Sequence, residues 1–262
     1  MNQNQTPSTS FTSKTSLFQR SRHVALSLSM LAIVTLSARA EMIIETTRVI
    51  YREGQRDVSF KVTNKSTESP AFVQMWLDDG NQSASPEEIN TPFTMTPPVA
   101  RVNAGRSQVV RLVYTGEKMP SDKESVYWFN MLEVPPKSEE SNKLTLAIRS
   151  RIKLFYRPKG LPSDPMAQTD KLEWRVMQNG DEWELQGHNP TPFHMSLYNV
   201  TFGADAQARS FTDGGMLAPQ SRGTFVLKDF AKHKLPTDTV TVNFINDYGA
   251  VSSKTFSLKQ TP

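Results

Sequence analysis

Apolar and polar residues alternate with a period of two through most of this 262-residue chain, the pattern of strands with one face on a core and the other toward solvent. Val58, Phe60 and Val62 alternate in one such run, and Val109 to Tyr114 and Val126 to Leu132 form two more. Ala71 to Leu77 is dense enough for a strand buried on nearly both faces. Met42-Ile43-Ile44 followed by Thr46 to Tyr51 reads as one strand, closed by the turn Glu53-Gly54-Gln55. Between Asp78 and Gly105 the chain is a polar, proline-rich passage punctuated by turn residues. About seven strands fit before Pro158 at turn-punctuated spacing, which predicts an immunoglobulin-like sandwich. Pro158-Lys159-Gly160-Leu161-Pro162 then reads as a short, stiff linker. Beyond it the alternation restarts with Leu172, Trp174 and Val176 and continues to Phe256 and Leu258, a second sandwich. No segment has a convincing helical period, and the two halves share no repeat.

The stretch Leu144 to Pro158 carries the most information. Leu144, Leu146 and Ile148 alternate with Thr145, Ala147 and Arg149, as in a strand with one apolar face. The second half holds Arg149, Arg151, Lys153 and Arg157 among Ile152, Leu154, Phe155 and Tyr156. A strand ending in buried aromatics with that much positive charge requires anions or a solvent cleft beside it, because an unpaired buried charge is costly. The apolar residues are even-numbered and Lys153 is odd, so an ideal strand aims them at opposite faces. A bulge or strong twist over 149–151 would reconcile the two sets.

Charge and composition narrow the function. Lys14, Arg20, Arg22 and His23 precede an apolar run from Val24 to Ser37, and Ala38-Arg39-Ala40 supplies a small-x-small cleavage pattern. Residues 1–40 therefore read as a secretory signal peptide; the apolar run is shorter than the ~20 residues a spanning helix needs. The chain has 30 Lys and Arg against 26 Asp and Glu, and removing Lys14, Arg20, Arg22 and Arg39 leaves 26 against 26. A neutral mature chain gives no support to a nucleic-acid partner. Without cysteine, its stability rests on packed cores.

Enzyme signals are weak. Ser150-Arg151-Ile152-Lys153 fits an S-x-x-K pattern, but that chemistry needs both groups on a helix face, and here they lie in a strand pattern. His188, His194 and His233 lack ligand spacing for a metal and read as surface or turn histidines. On residue type alone Arg48, a lone cation in an apolar and Thr-rich strand, belongs on a solvated face, and so does Lys153.

A set of motifs changes that assessment. Thr47-Arg48-Val49, Thr96 to Arg101, Glu124 to Asn130, Glu133 to Pro136, Ile152 to Pro158, Asn189 to Pro192 and Ile245 to Gly249 together resemble the periplasmic pilus chaperones of the chaperone-usher pathway. The similarity runs through 41–262, and seven motifs in order are far more specific than any one. The resemblance implies an all-β chain of two immunoglobulin-like sandwiches set as a boomerang with a cleft between them. The expected division is a signal peptide over 1–40, a subunit-binding domain over 41–158, a linker over 159–162 and a second domain over 163–262.

The resemblance further implies that pilin subunits lack their last strand and that the chaperone lends one. Leu144, Leu146 and Ile148 then match the residues that enter the subunit's open groove. Arg48 and Lys153 match the pair that holds the subunit's C-terminal carboxylate, and Glu124, Arg157 and Asp247 match an inter-domain ionic network. The expected partners are pilin subunits and an outer-membrane usher in the periplasm, with no cofactor, nucleic acid or small-molecule substrate and no enzymatic activity. The short connection before Leu144 suggests rod-like pili. Strand addition satisfies main-chain groups along an exposed edge while alternate side chains select the groove. Three aliphatic side chains fully buried contribute about 5 to 9 kcal/mol gross, at roughly 1.5 to 3 each, before ordering costs. The competing readings are a pilus subunit itself, disfavoured by two complete-looking domains and no cysteine, and a two-domain immunoglobulin-like periplasmic binding protein with a different partner.

Overall fold

Among the described residues nine strands lie on the N-terminal side of Pro158: β1 (Met42–Ile44), β2 (Arg48–Arg52), β3 (Val58–Asn64), β4 (Ala71–Asp78), β5 (Phe93–Thr96), β6 (Val99–Val102), β7 (Ser107–Tyr114), β8 (Ser125–Val134) and β9 (Ile148–Arg157). The computed structural model describes residues 42–83, 85–134, 146–180, 182–203, 209–227 and 238–260. The expected signal peptide, Leu144 and His233 lie outside the described residues. The strands form two facing sheets, ordered β1-β3-β7-β5 and β2-β9-β8-β4-β6. Between them Val62, Val73, Val110, Leu112, Phe129 and Leu154 are fully buried. These are the alternate positions of the expected pattern, because the pleat sends every second side chain to the same face.

Two features depart from the sequence reading. The opening run is two strands, since the chain bends at Glu45–Thr47 and crosses from β3 in one sheet to β9 in the other. The passage expected as turns contains β5 and β6, which pair with β7 and β4. Four-residue edge strands joined through Pro97 and Pro98 offer too few alternating positions to register as a period.

The second sandwich begins after a short 3-10 turn at Met166–Lys171 and comprises β10 (Glu173–Asn179), β11 (Glu182–Asn189), β12 (Met195–Phe202), β13 (Arg209–Phe211), β14 (Gly215–Leu217), β15 (Ser221–Leu227), β16 (Thr239–Ile245), β17 (Val251–Ser257) and β18 (Lys259–Gln260). One sheet runs β15-β11-β10-β18 and the other β13-β12-β16-β17, with β14 also on β12. Trp174, Leu185, Phe193, Val200, Phe202 and Phe244 fill its separate core, against which Leu161 and Met166 also pack.

β9 positions the site. Its C-terminal half is held on both edges, by β2 in parallel over 153–157 and by β8 in antiparallel. Among the described residues its N-terminal half, 148–152, pairs only with β8. The β8 ladder is unbroken from Glu133–Ile148 to Ser125–Tyr156, so no bulge interrupts it. The strand begins at Ile148, and Leu146 and Ala147 precede it. Opposite faces therefore do separate work. Ile152, Leu154 and Tyr156 point into the core, and Leu146 and Ile148 continue that parity, with Leu146 60% exposed. Arg149, Arg151, Lys153 and Arg157 line the other face.

Candidate functional site

Arg48 opens β2 and stands directly beside Lys153 in the parallel register, so two cations share one face of adjacent strands. Arg48 is only 8% exposed, contrary to what residue type alone suggests. Its Nη1 donates to the carbonyl of Ile245 in the second sandwich at 2.8 Å, and its guanidinium lies 5.8 Å over the Phe155 ring. Its Nε is buried with no hydrogen-bond partner. Lys153 Nζ donates to Ser196 Oγ at 3.2 Å, again in the second sandwich. Both sandwiches thus build the site.

The electrostatics leave this pair unsatisfied. Burial, reinforced by the neighbouring Arg48 charge, pulls the Lys153 ammonium from 10.5 down to about 8. Burial also lowers the Arg48 guanidinium, offset in part by the fields of Asp247 and Glu124. Among the described residues neither has a carboxylate within ion-pair distance. An arginine offers five N–H donors and a lysine three, and one of each is used here. The spare donors and the unspent charge leave the pair able to take an anion.

The other cations of β9 are matched within the chain. Arg157 Nη1 lies 2.7 Å from Asp247 Oδ2, and Nη2 lies 2.7 Å from Glu124 Oε1. Burial alone would lower the Arg157 guanidinium, but the two carboxylates outweigh it and raise it. Glu124 and Arg157 are buried. The structure therefore brings Glu124, Arg157 and Asp247 together, the last across the two sandwiches. It adds a member not found from sequence: the His194 backbone N–H donates to Glu124 Oε2 at 2.9 Å, and His194 Nδ1 is 3.1 Å from the same oxygen. The His194 side chain is thus 6% exposed instead of lying at the surface, its ring 5.7 Å from Phe155. His188 sits partly exposed, 3.7 Å from Glu173.

The hairpin between β16 and β17 delivers both Asp247 and the Ile245 carbonyl. Asn246 Oδ1 accepts from the N–H groups of Tyr248 and Ala250, which fixes the turn. Gly249 has φ +82°, and a Cβ there would collide with Thr47 Oγ1. A side chain would push the hairpin away from β2.

Arg149 and Arg151 find their anion in Asp78 at the end of β4, a residue the sequence reading assigned to a turn. Asp78 is fully buried. Arg151 engages both its oxygens, with Nε 3.0 Å from Oδ2, and Arg149 Nη2 is 3.6 Å away. Asn130 Nδ2 and the Gly80 N–H also donate to Asp78, both at 2.7 Å. Burial pushes this carboxyl up, but the hydrogen bonds from Arg151, Asn130 and Gly80 prevail and hold it below the usual range. A general signal existed: an acid beginning a turn, beside a strand rich in cations.

Comparison with known proteins fits this geometry. The model of the pili and flagellar-assembly chaperone PapD N-terminal domain matches residues 41–162, and that of the pili assembly chaperone PapD C-terminal domain matches 167–256. The chain belongs to the pilus-assembly chaperone family. The chaperone is 41% identical over 237 residues to the protein FimB/FhaD of Bordetella pertussis, covering 87% of this chain and 92% of that one. It is 39% identical over 219 residues to the probable fimbrial chaperone YadV of Escherichia coli, covering 81% and 88%. The crystal structure of the Pseudomonas aeruginosa CupB2 chaperone is similar with a TM-score of 0.70 at 34% identity, covering 83% of this chain and 100% of that one. A solved structure of the Salmonella enterica SafA pilin in complex with the SafB chaperone gives 0.68 at 29% identity, covering 83% and 96%.

Proposed function

We propose that this chaperone captures unassembled pilin subunits in the periplasm, lends them residues 144–148 as a completing strand, and passes them to an outer-membrane usher. Arg48 and Lys153 anchor the subunit's C-terminal carboxylate, and Leu144, Leu146 and Ile148 enter its groove. The observation that carries this reading is the contrast along one sheet face. Arg149, Arg151 and Arg157 are paired with carboxylates of the same chain, whereas the adjacent Arg48 and Lys153 keep spare donors. A chain terminus supplies a carboxylate with no side chain in the way, so it fits where a bulkier acid would be obstructed. The SafA–SafB complex, in which a relative of this fold holds a pilin, supports the partner class.

The half-paired strand completes the picture. Residues 148–152 present an edge that a subunit strand can pair with, and exposed Leu146 extends the apolar face beyond the chaperone's own core. Release then requires no nucleotide, because a neighbouring subunit's own strand replaces the lent one. The division into 41–158, a link over 159–162 and 163–262 is supported by two separate hydrophobic cores.

The test is co-purification of subunits from periplasm with Lys153→Ala and Arg48→Ala. The expected result is a folded chaperone that carries no subunit. Subunit recovery at the wild-type level from both variants would refute the anchor.

A further inference from the structure

β9, which continues from the residues proposed to be lent, has an unusual structural problem. Over 148–152 it has, among the described residues, a neighbour on one edge only, and an unsupported edge strand frays or twists away from a flat form. Its outward side chains nonetheless make a dense set of contacts. Arg149 donates from Nε and Nη2 to Asn130 Oδ1 at 3.0 and 2.8 Å, and from Nη1 to the carbonyl of Gln82 at 2.9 Å. Its guanidinium is stacked 4.9 Å over Trp76. Arg151 engages Asp78 through two nitrogens and lies 4.5 Å over Trp128. Asp78 and Asn130 are fully buried and joined to each other at 2.7 Å.

The contacts run diagonally across three strands. In register, Arg151 faces Asn130 and Asn130 faces Trp76, while Asp78 faces Trp128. Each arginine therefore reaches past its direct neighbour to a group one step along, which ties β9 to β8 and β4 at once. A bidentate guanidinium on a buried carboxylate also fixes orientation, since both nitrogens must lie in the carboxylate plane. These contacts occupy the face opposite Leu146 and Ile148, so they constrain the strand without covering the groove-facing residues.

We infer that Asp78, with Arg149 and Arg151, is a positioning cluster that holds the singly paired half of β9 extended before a subunit arrives. This rests on the proposed strand lending. Its consequence is kinetic: a strand already ordered meets a subunit without a further ordering cost. The cluster lies apart from the carboxylate anchor, so the two roles are separable.

The experiment compares wild type with Asp78→Asn, which keeps the shape and removes the charge, and with Arg149→Gln, whose side chain is partly exposed and whose loss is the milder change. Hydrogen exchange of amides 148–152 is measured in the free chaperone. The association rate is measured for denatured subunit released from its own wild-type complex, and the affinity for an acetylated nonapeptide copying that subunit's C-terminus. The expected result is amide exchange faster by about tenfold and subunit association slower by about tenfold, with peptide affinity within about twofold of wild type. Unchanged exchange and association in folded Asp78→Asn overturn the inference, as does equal loss of peptide and subunit binding. If Asp78→Asn does not fold, Arg149→Gln decides by the same criteria. Lys153→Ala is the control: if it retains peptide and subunit, the anchor reading fails, independently of the strand measurement.

Discussion

Lys153 makes the proposed anchor pH-dependent in a calculable way. In the free chaperone its ammonium is lowered from 10.5 to about 8 by burial and by Arg48. A carboxylate arriving between the two cations favours the charged form and raises it back toward the ordinary value. Binding therefore takes up a proton above pH 8. At pH 7 Lys153 is about nine-tenths protonated and at pH 9 about one-tenth, so affinity falls about tenfold between them, or about 1.4 kcal/mol. The binding strength is fully present below pH 8 and is lost as pH rises toward the bound value. The C-terminal peptide of the subunit, titrated calorimetrically in two buffers of different ionisation enthalpy, should show uptake of nearly one proton at pH 9. Lys153→Arg keeps His194 and every other titratable group but stays charged throughout, so its affinity should be flat over this range. A flat wild-type profile, or an equal slope in Lys153→Arg, would refute the reasoning.

Three further outcomes follow from the same geometry. Lys153→Met removes a half-buried cation that has no acidic partner among the described residues, and the free chaperone should gain about 1 to 3 kcal/mol in urea denaturation while losing subunit capture; a loss of stability would contradict this. Leu146→Glu at an exposed position should leave stability within ~0.5 kcal/mol and weaken subunit binding by about 1.5 to 3 kcal/mol, measured by competition with wild type. Arg157→Leu strands the buried Glu124 carboxylate and should cost about 3 to 5 kcal/mol of stability; a change under ~1 kcal/mol would show that the ionic network contributes little.

Much of the architecture follows from local pattern alone. Val58, Phe60 and Val62, or Trp174 and Val176, specify strands because a pleated chain sends every second side chain to the core, and that rule needs only neighbours in sequence. The motifs around Arg48, Lys153, Glu124, Arg157 and Asp247 likewise named the residues that the fold brings together. What the sequence alone left open depends on distant partners. The split of the opening run into β1 and β2 depends on β3 and β9 being in different sheets. Asp78 looks like any turn acid until the register of β4, β8 and β9 places it against two arginines, and His194 looks like a surface residue until Glu124 arrives from seventy positions away. Only the tertiary structure decides which cations find anions within the chain and which keep spare donors. Charge pairing depends on distance in space, and the one-dimensional order of residues does not encode it.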